Sequence, residues 1–424
     1  MSRLRVAYIL LHFPYLTETF VAEEIRAIRA QGVEVEIISL LEAGGGPVQT
    51  VSAGLLPHCW YAPGLASLRL WQAQFYYLFR TPALYFTLLF LLLRCPYPKE
   101  RLTLLAKRLV IFLKAVAAAH RLRGRKIDLL HAHFAWLPGA AAWVCARLLG
   151  LPFTVTAHAY DLFASPDLLP VAAGAADHVI AISEYNRRFL VEQRFCNEAA
   201  VTVIHCGVDY AQLAALAGER RARAAGAPIR ILSVGSLNAK KGHEYLIEAC
   251  RLLDERQLPF TCTIIGGGGG ELLLRRQIER HGLHERVQLC GARSQEEVLP
   301  AYRDHDLFVL AAVVAPNGDQ DGIPVVMMEA GAFGLPLLST QVSGIPELVQ
   351  HERTGLLVPP KDAEALADAI DRLAADPALR QEYGSEARLL VQTEFNVAVN
   401  AQRLVTMFQA VIAARGAKPG GGSE

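Results

Sequence analysis

Asp321 and Glu329 stand eight positions apart in Gly318-Asp-Gln-Asp-Gly-Ile-Pro-Val-Val-Met-Met-Glu-Ala330. The first carboxylate lies on a stretch bounded by glycine and proline, which predicts a loop. The second lies inside an apolar run, 323–328, that is too apolar for a surface helix and reads as a buried one. Pro324 suits the first helical turn, where a missing N–H costs nothing. The N-terminus of such a helix offers free N–H groups and a partial positive charge, which favour a phosphate. Two acceptors beside that phosphate can hold sugar hydroxyls, so the stretch suggests a nucleotide-sugar site.

Other loops carry chemistry of the same kind. Gly235-Ser-Leu-Asn-Ala-Lys-Lys-Gly242 follows a predicted strand and precedes a helix. Glycine lets backbone approach a phosphate and lysine adds charge, although many strand–helix loops contain both. The glycines 266–270 follow another strand and fit a loop skirting a nucleotide, or a flexible turn. They lack the spacing and the later acidic partner of a dinucleotide fingerprint. His158, in Thr154-Val-Thr-Ala-His-Ala-Tyr-Asp161, lies just past a strand end, where a polar role is favoured over a core one. His131 and His133 invite a metal reading, but no carboxylate or cysteine cluster in the sequence supports it. Asp319-Gln-Asp321 also resembles a metal-binding pair; its place before a buried helix argues for sugar and phosphate contacts. Neither a metal nor a cofactor is expected.

Alternating strands and helices must position these residues. Strand 6–11, helix 20–31 (Phe20, Ile25 and Ile28 inward) and strand 33–38 open a doubly wound α/β fold. Strands 128–131, 153–156, 178–182 and 201–204 continue it. A second set comprises strands 229–234, 260–265, 287–289, 307–310, 336–339 and 355–358. Helices 243–256, 271–281, 295–303 and 346–350 alternate with them. A hinge falls near 209–228, where 218–227 reads as helix or linker. Ligands bind at strand C-termini in such sheets, so two in tandem suggest a two-substrate enzyme with its cleft between domains. A tandem small-molecule binding protein is the alternative.

At 424 residues, 52% hydrophobic and 20% charged, the chain can bury two cores. Residues 1–208 carry 20 Lys+Arg against 14 Asp+Glu, and the remainder 22 against 27, which sums to the net +1. A basic first half and an acidic second half suggest different partners. No nucleic acid is expected among them. The eight cysteines include no CxxC pair, which argues against zinc and for a reducing compartment. The apolar run after Arg5 is too short for a signal core.

One segment, 65–126, interrupts the alternation. The uncharged stretch between Arg80 and Arg94 has thirteen residues, short of the roughly 18–20 that span a bilayer. Residues 94–126 hold ten Lys+Arg and one acid, Glu100. Leu102, Leu105, Leu109, Phe112, Leu113 and Val116 recur at helical spacing. Lys107, Lys114 and Arg121 make one basic row, Arg101 and Arg108 another. A basic amphipathic helix beside an apolar one predicts a membrane-surface element, against the alternative of a core helix with a solvated basic face.

The chain resembles a family 4 glycosyltransferase of the GT-B fold, two Rossmann-like domains, and most closely the colanic-acid and exopolysaccharide branch. The resemblance rests on Phe13-Pro-Tyr-Leu-Thr-Glu-Thr-Phe20, Thr156-Ala-His-Ala-Tyr-Asp161, Ile182-Ser-Glu184 and Ile204-His-Cys-Gly-Val-Asp209. In the second half it rests on 235–242, 321–329, Gly334-Leu-Pro336, Ser343-Gly-Ile-Pro-Glu-Leu348 and Thr354-Gly-Leu-Leu-Val358. It implies an acceptor-side domain at 1–208, a donor-binding domain at 229–394 and a helix at 395–415 crossing back to the first domain; the Gly-rich, polar stretch 416–424 reads from its composition as a disordered tail. It implies that Asp321 holds the donor sugar, Glu329 the ribose, Lys241 the diphosphate, and Gly322 and Ile323 the phosphates through backbone N–H groups. Ser236, Gly266 and Gly268 fall on the donor side, and Thr17, Glu18, His158 and Asp161 on the acceptor side, with His158, Asp321 and Lys241 catalytic. The family pattern usually has Glu where Asp321 stands and often Arg where Ser236 stands. The expected activity is retaining, metal-independent sugar transfer from a nucleoside-diphosphate sugar to a lipid-linked saccharide, in the cytoplasm at the inner face of the membrane. Alternatives are a nucleotide-sugar 2-epimerase, a sugar phosphorylase, or a non-catalytic nucleotide-sugar-binding module.

Overall fold

The structure, a computed structural model, describes residues 3–15, 19–42, 50–94, 101–218 and 227–416. Thr17, Glu18, most of the 218–227 segment and all but the first residue of the 416–424 tail lie outside the described residues. The chain divides into two compact units, Met1–His205 with Asn400–Glu424, and Cys206–Val399.

The first unit is built on a seven-stranded parallel sheet: β1 Arg5–His12, β2 Glu34–Leu41, β3 Cys59–Tyr61, β4 Leu129–His133, β5 Phe153–Ala157, β6 His178–Ala181 and β7 Val201–Val203. Their spatial order is β3-β2-β1-β4-β5-β6-β7. Strands covered on both faces need apolar residues at every position, and β1 supplies them. Ala7 and Ile9 enter one core and Val6, Tyr8 and Leu10 the other. The register sets Tyr8 beside His131, His131 beside Thr154, and His133 beside Thr156.

The second unit has six parallel strands: β8 Ile229–Val234, β9 Phe260–Ile265, β10 Val287–Leu289, β11 Leu307–Leu310, β12 Leu337–Thr340 and β13 Gly355–Val358. Their order is β10-β9-β8-β11-β12-β13. Ile229 and Ile231 of β8 face one core, Leu232 and Val234 the other. The direction of winding reverses between β1 and β4 in one sheet and between β8 and β11 in the other. That is where a crevice opens at the strand C-termini. The helix Val397–Gly416 starts in the second unit, and from Asn400 it belongs to the first, where Leu404, Val405 and Phe408 pack into the core with Tyr8.

Two differences from the sequence expectations stand out. A helix, Tyr210–Ala217, capped by the Asp209 side chain, occupies the first part of the stretch read as a hinge. The 65–126 segment forms two helices, Leu68–Arg80 and Pro82–Arg94, which meet at 115°, followed by the long helix Arg101–Leu122. The basic face expected on that long helix is only partly present, because Arg108 and Lys114 turn inward. Arg108 is 1% exposed, with Nη2 2.6 Å from Asp167 Oδ2 and Nη1 donating to the Leu92 carbonyl at 3.4 Å. Lys114 is buried too and donates to the Ala62 carbonyl at 3.4 Å. Leu105 and Leu109 turn outward instead. The reason is tertiary: Asp167 supplies a buried counter-charge that draws the guanidinium inward, and spacing on one helix cannot reveal it. Lys107 and Arg121 remain exposed; the side chains of Arg101 and Leu102 lie outside those described.

Candidate functional site

In the second unit the strand order brings the loops after β8 and β11 together. The first loop tightens through a 3-10 turn, Ala239–Lys241, and ends at Gly242, which has φ +63°. A Cβ there would lie 1.8 Å from the Ala311 carbonyl oxygen, so the close seating of this loop on the end of β11 needs glycine. The Val313 N–H donates to the Lys240 carbonyl at 2.9 Å and ties the two loops. Both lysines then face acids of the second loop. Lys240 Nζ is 3.1 Å from Asp319 Oδ2 and 3.5 Å from Asp321 Oδ1. Lys241 Nζ is 2.7 Å from Asp321 Oδ2, a charge contact without aligned hydrogen-bond geometry. Burial works against the Lys240 ammonium, but Asp321 and Asp319 outweigh it, so its pKa is raised. The two cations and two carboxylates sit just ahead of Gly322, the buried Ile323 and the helix Val325–Ala332. Pro324 is extended, at φ −65° and ψ 129°, and stands outside the first turn as its cap.

Glu329 lies inside that helix, 4% exposed. Its carboxylate accepts from Tyr302 Oη at 2.8 Å and from Gln295 Nε2 at 2.6 Å. Both donors come from the helix Gln295–Asp304, whose start is set by a capping box between Ser294 and Glu297. Seven residues separate Gln295 from Tyr302, two helical turns, which puts both on one face. Burial raises the Glu329 pKa, and the Tyr302 and Gln295 hydrogen bonds partly offset it.

The remaining donor-side residues lie on the loops after β8 and β9. Ser236 is exposed and accepts from Asn238 Nδ2 at 3.0 Å. Gly266 and Gly270 have a packing reason of their own. A Cβ on Gly266 would lie 1.8 Å from the Gly235 carbonyl oxygen, and one on Gly270 2.5 Å from that of Leu237. Gly268 has φ +150° and lies against Leu237. Gly266, Gly268 and Gly270 thus seat the lysine loop backbone to backbone. His243, the next residue after Gly242, is buried under that loop. Burial first and the Lys241 charge second lower its pKa to about 4.

In the first unit, His158 ends up in a hydrogen-bonded chain. Its Nε2 is 3.1 Å from His133 Nδ1, and His133 Nε2 is 2.9 Å from Glu24 Oε1. Tyr8 Oη donates to the same oxygen at 2.8 Å. A neutral His133 donating from Nε2 to Glu24 has its Nδ1 lone pair free for the His158 Nε2–H. Burial holds the His158 pKa well below its ordinary value, so this imidazole is neutral at physiological pH. Glu24 comes from the helix Thr19–Ala30 and supplies the carboxylate whose absence argued against a metal at His131 and His133. The candidate ligand atoms of Glu24, His131 and His133 lie within 4.8 Å of one another. Hydrogen bonds already engage them, including His131 Nδ1 with Thr154 Oγ1 at 2.9 Å. Asp161 is fully buried, and its Oδ2 accepts from the backbone N–H of Ala135 at 2.7 Å and of His158 at 2.9 Å. It fastens the loop that carries His158. Sequence reasoning missed Glu24, Tyr8, Gln295, Tyr302 and the Lys240–Asp319 pair; only the second lysine and the doubled acid hinted at the last.

Residues 17–212 match the family described as Glycosyltransferase Family 4, and residues 219–390 match Glycosyl transferases group 1. The chain is 39% identical over 220 residues to the putative colanic acid biosynthesis glycosyltransferase WcaL of Escherichia coli, covering 51% of this chain and 52% of that protein. It is 42% identical over 182 residues to the amylovoran biosynthesis glycosyltransferase AmsK of Erwinia amylovora, covering 43% of this chain and 45% of that protein. The chain thus spans about half the length of these two relatives. Against the Salmonella typhimurium WcaL it is 29% identical, covering 96% of this chain and 100% of that protein. Among solved structures, a glycosyltransferase from Rickettsia africae superposes with TM-score 0.71 at 16% identity, covering 97% of this chain and 99% of that one. Anabaena HepE in complex with UDP and glucose superposes at 0.68 and 17% identity, covering 96% and 100%. The fold is GT-B.

Proposed function

The chain belongs to the family 4 glycosyltransferases, and on that premise we propose that it moves a sugar from a nucleoside-diphosphate sugar to a lipid-linked saccharide in exopolysaccharide biosynthesis. The observation that carries this reading is the Lys240/Lys241–Asp319/Asp321 cluster ahead of the helix Val325–Ala332. Without donor, the carboxylates neutralise the lysines. A diphosphate competes for Lys241 and for the helix N-terminus, and its arrival releases Asp321 to accept from sugar hydroxyls. Glu329, already oriented by Tyr302 and Gln295, has lone pairs left for ribose hydroxyls.

The reaction in this reading is metal-independent and retains configuration. The acceptor oxygen bonds to the anomeric carbon on the face the phosphate leaves, the carbon–oxygen bond to phosphate breaks, and the acceptor proton passes to a phosphate oxygen. Lys241 and the helix N-terminus stabilise the charge on the leaving diphosphate. His158, neutral and oriented through His133, serves the acceptor side as a hydrogen-bonding group. An exopolysaccharide role follows the colanic acid and amylovoran biosynthesis for which WcaL and AmsK are named. A cytoplasmic position at the inner membrane surface, through residues 65–126, belongs to the same reading.

The test is transfer activity after a thermal-shift screen of UDP-, GDP- and ADP-sugars has found the donor. Lys241→Ala and Glu329→Ala should each abolish transfer to added acceptor. Full activity in both variants would sink the proposal.

A further inference from the structure

The helices Leu68–Arg80 and Pro82–Arg94 turn a row of large apolar side chains to solvent. Leu68 is 79% exposed, Trp71 44%, Phe75 54% and Phe79 81%; on the second helix Phe86 is 56% and Phe90 59% exposed. The first four recur every three to four residues and the last two are four apart, so each set is a single stripe. Rotation cannot hide them. The opposite face of the hairpin is locked by a buried amide: Gln74 Nε2 donates to the Leu113 carbonyl at 2.9 Å, and Tyr85 Oη donates to Gln74 Oε1 at 3.1 Å. Leu70, Tyr77, Leu88 and Leu92 complete that inner face.

Charge and length indicate what covers the outer face. No Asp or Glu occurs between Glu42 and Glu100. The charged residues within the two helices are Arg69, Arg80 and Arg94, all exposed, and the Arg94 guanidinium lies 5.8 Å from the Phe90 ring centroid. Each helix is 13 residues, about 20 Å, short of the roughly 30 Å hydrocarbon core, and the 115° bend rules out one continuous span. Short helices with an aromatic face and arginines at their ends suit the boundary between headgroups and acyl chains of an anionic bilayer.

We infer that this hairpin inserts its aromatic face into an anionic membrane surface, and that attachment is apolar insertion rather than adhesion of the long helix Arg101–Leu122 through its cations. The inference rests on the membrane position proposed above and changes its mechanism. Arg108 and Lys114, two of the cations that electrostatic adhesion needed, are buried.

The experiment is co-sedimentation of the full chain with phosphatidylcholine vesicles containing phosphatidylglycerol, at low and high salt. The wild type should bind at both. A Phe75→Ser, Phe79→Ser, Phe86→Ser, Phe90→Ser variant should lose roughly tenfold or more of its partitioning at either salt. Lys107→Gln with Arg121→Gln should lose little. Nucleotide-induced thermal shifts report that the variants are folded. Quenching of Trp71 by brominated lipid, abolished in Trp71→Phe, should report its depth directly. Full binding by the serine variant, or loss confined to the glutamine variant, would overturn the insertion mechanism and leave the membrane position standing. Absence of wild-type binding to any vesicle would overturn both. Absence of vesicle binding, with a wild-type dimer that the serine substitutions dissociate, would assign the face to a second copy.

Discussion

Replacing Tyr302 by Phe removes one hydroxyl from the second unit and tests how Glu329 is held. The ring keeps its volume, and the site is fully buried, so no cavity opens and no water path is created. What disappears is a 2.8 Å hydrogen bond to one oxygen of a buried carboxylate. A hydrogen bond to a charged group is worth about 1.5–3 kcal/mol, and a unit of this size shifts by roughly 2–4 °C per kcal/mol, so the melting temperature should fall by roughly 3–12 °C. The loss should depend on pH. Burial already raises the Glu329 pKa, and the Tyr302 hydroxyl is first among the bonds that lower it; without it the pKa rises further. A carboxyl with a raised folded-state pKa binds its proton before the unfolded chain does. The Tyr302→Phe penalty is therefore complete where Glu329 is ionised and shrinks as the pH falls and Glu329 protonates in both proteins. Differential scanning calorimetry of both proteins across neutral and acidic pH measures this. A penalty that stays constant down through acid, or one below about 0.5 kcal/mol at neutral pH, would show that Glu329 does not depend on Tyr302 for its charge. Donor affinity supplies a second readout, because a Glu329 that takes its proton at a higher pH is a poorer acceptor for ribose hydroxyls as the pH falls.

Gly242→Ala forces a Cβ to within 1.8 Å of the Ala311 carbonyl oxygen at φ +63° and should cost at least about 3 kcal/mol in chemical denaturation; a variant within about 1 kcal/mol of wild type would contradict the seating described. His243 ionises near 6.5 when free and near 4 in the fold, so the unfolded chain takes the proton first and stability declines as the pH falls through that window. About 3 kcal/mol is at stake, and His243→Gln should flatten the decline; an unchanged slope would refute its role. Glu24→Gln should lower kcat by roughly ten- to hundredfold with donor KM unchanged, since it loosens His158 through His133 while the donor loops lie in the other unit; wild-type kcat would dismiss the chain as a conduit of orientation. Asp321→Glu restores the longer arm and should alter the preference among donor sugars; identical preference would mean that arm length there does not select the sugar.

What the sequence made legible is local. Strand and helix alternation is readable because parallel strands buried on both faces are short continuous apolar runs, and the loops carrying Lys241 and Asp321 are readable as loops for the same reason. Three half-buried residues at a sheet edge, Cys59–Tyr61, leave no such mark, and β3 went unseen. Partnerships over long separations are equally silent. Glu24 and His133 are 109 positions apart, and Arg108 and Asp167 are 59. The spacing predicts one inward apolar face, yet Leu105 and Leu109 are exposed while Phe112 and Val116 of the same face are buried, and a carboxylate far along the chain draws Arg108 inward. At Gly266 and Gly270 the close approach of one backbone to another adds a packing reason to a composition that suggests ligand chemistry.

The Arg108 contact has a practical side. An aromatic hairpin on the surface of a protein invites removal by anyone seeking a more soluble sample. Excising 65–94 would take away the Leu92 carbonyl that Arg108 uses and bare Phe112 and its neighbours on the long helix. Arg108 and Asp167 would remain, a charged pair stranded under a wound, beside the segment that follows His158 and Asp161. The hairpin is one half of a laminate, and only its outer veneer can be planed without lifting the layer beneath.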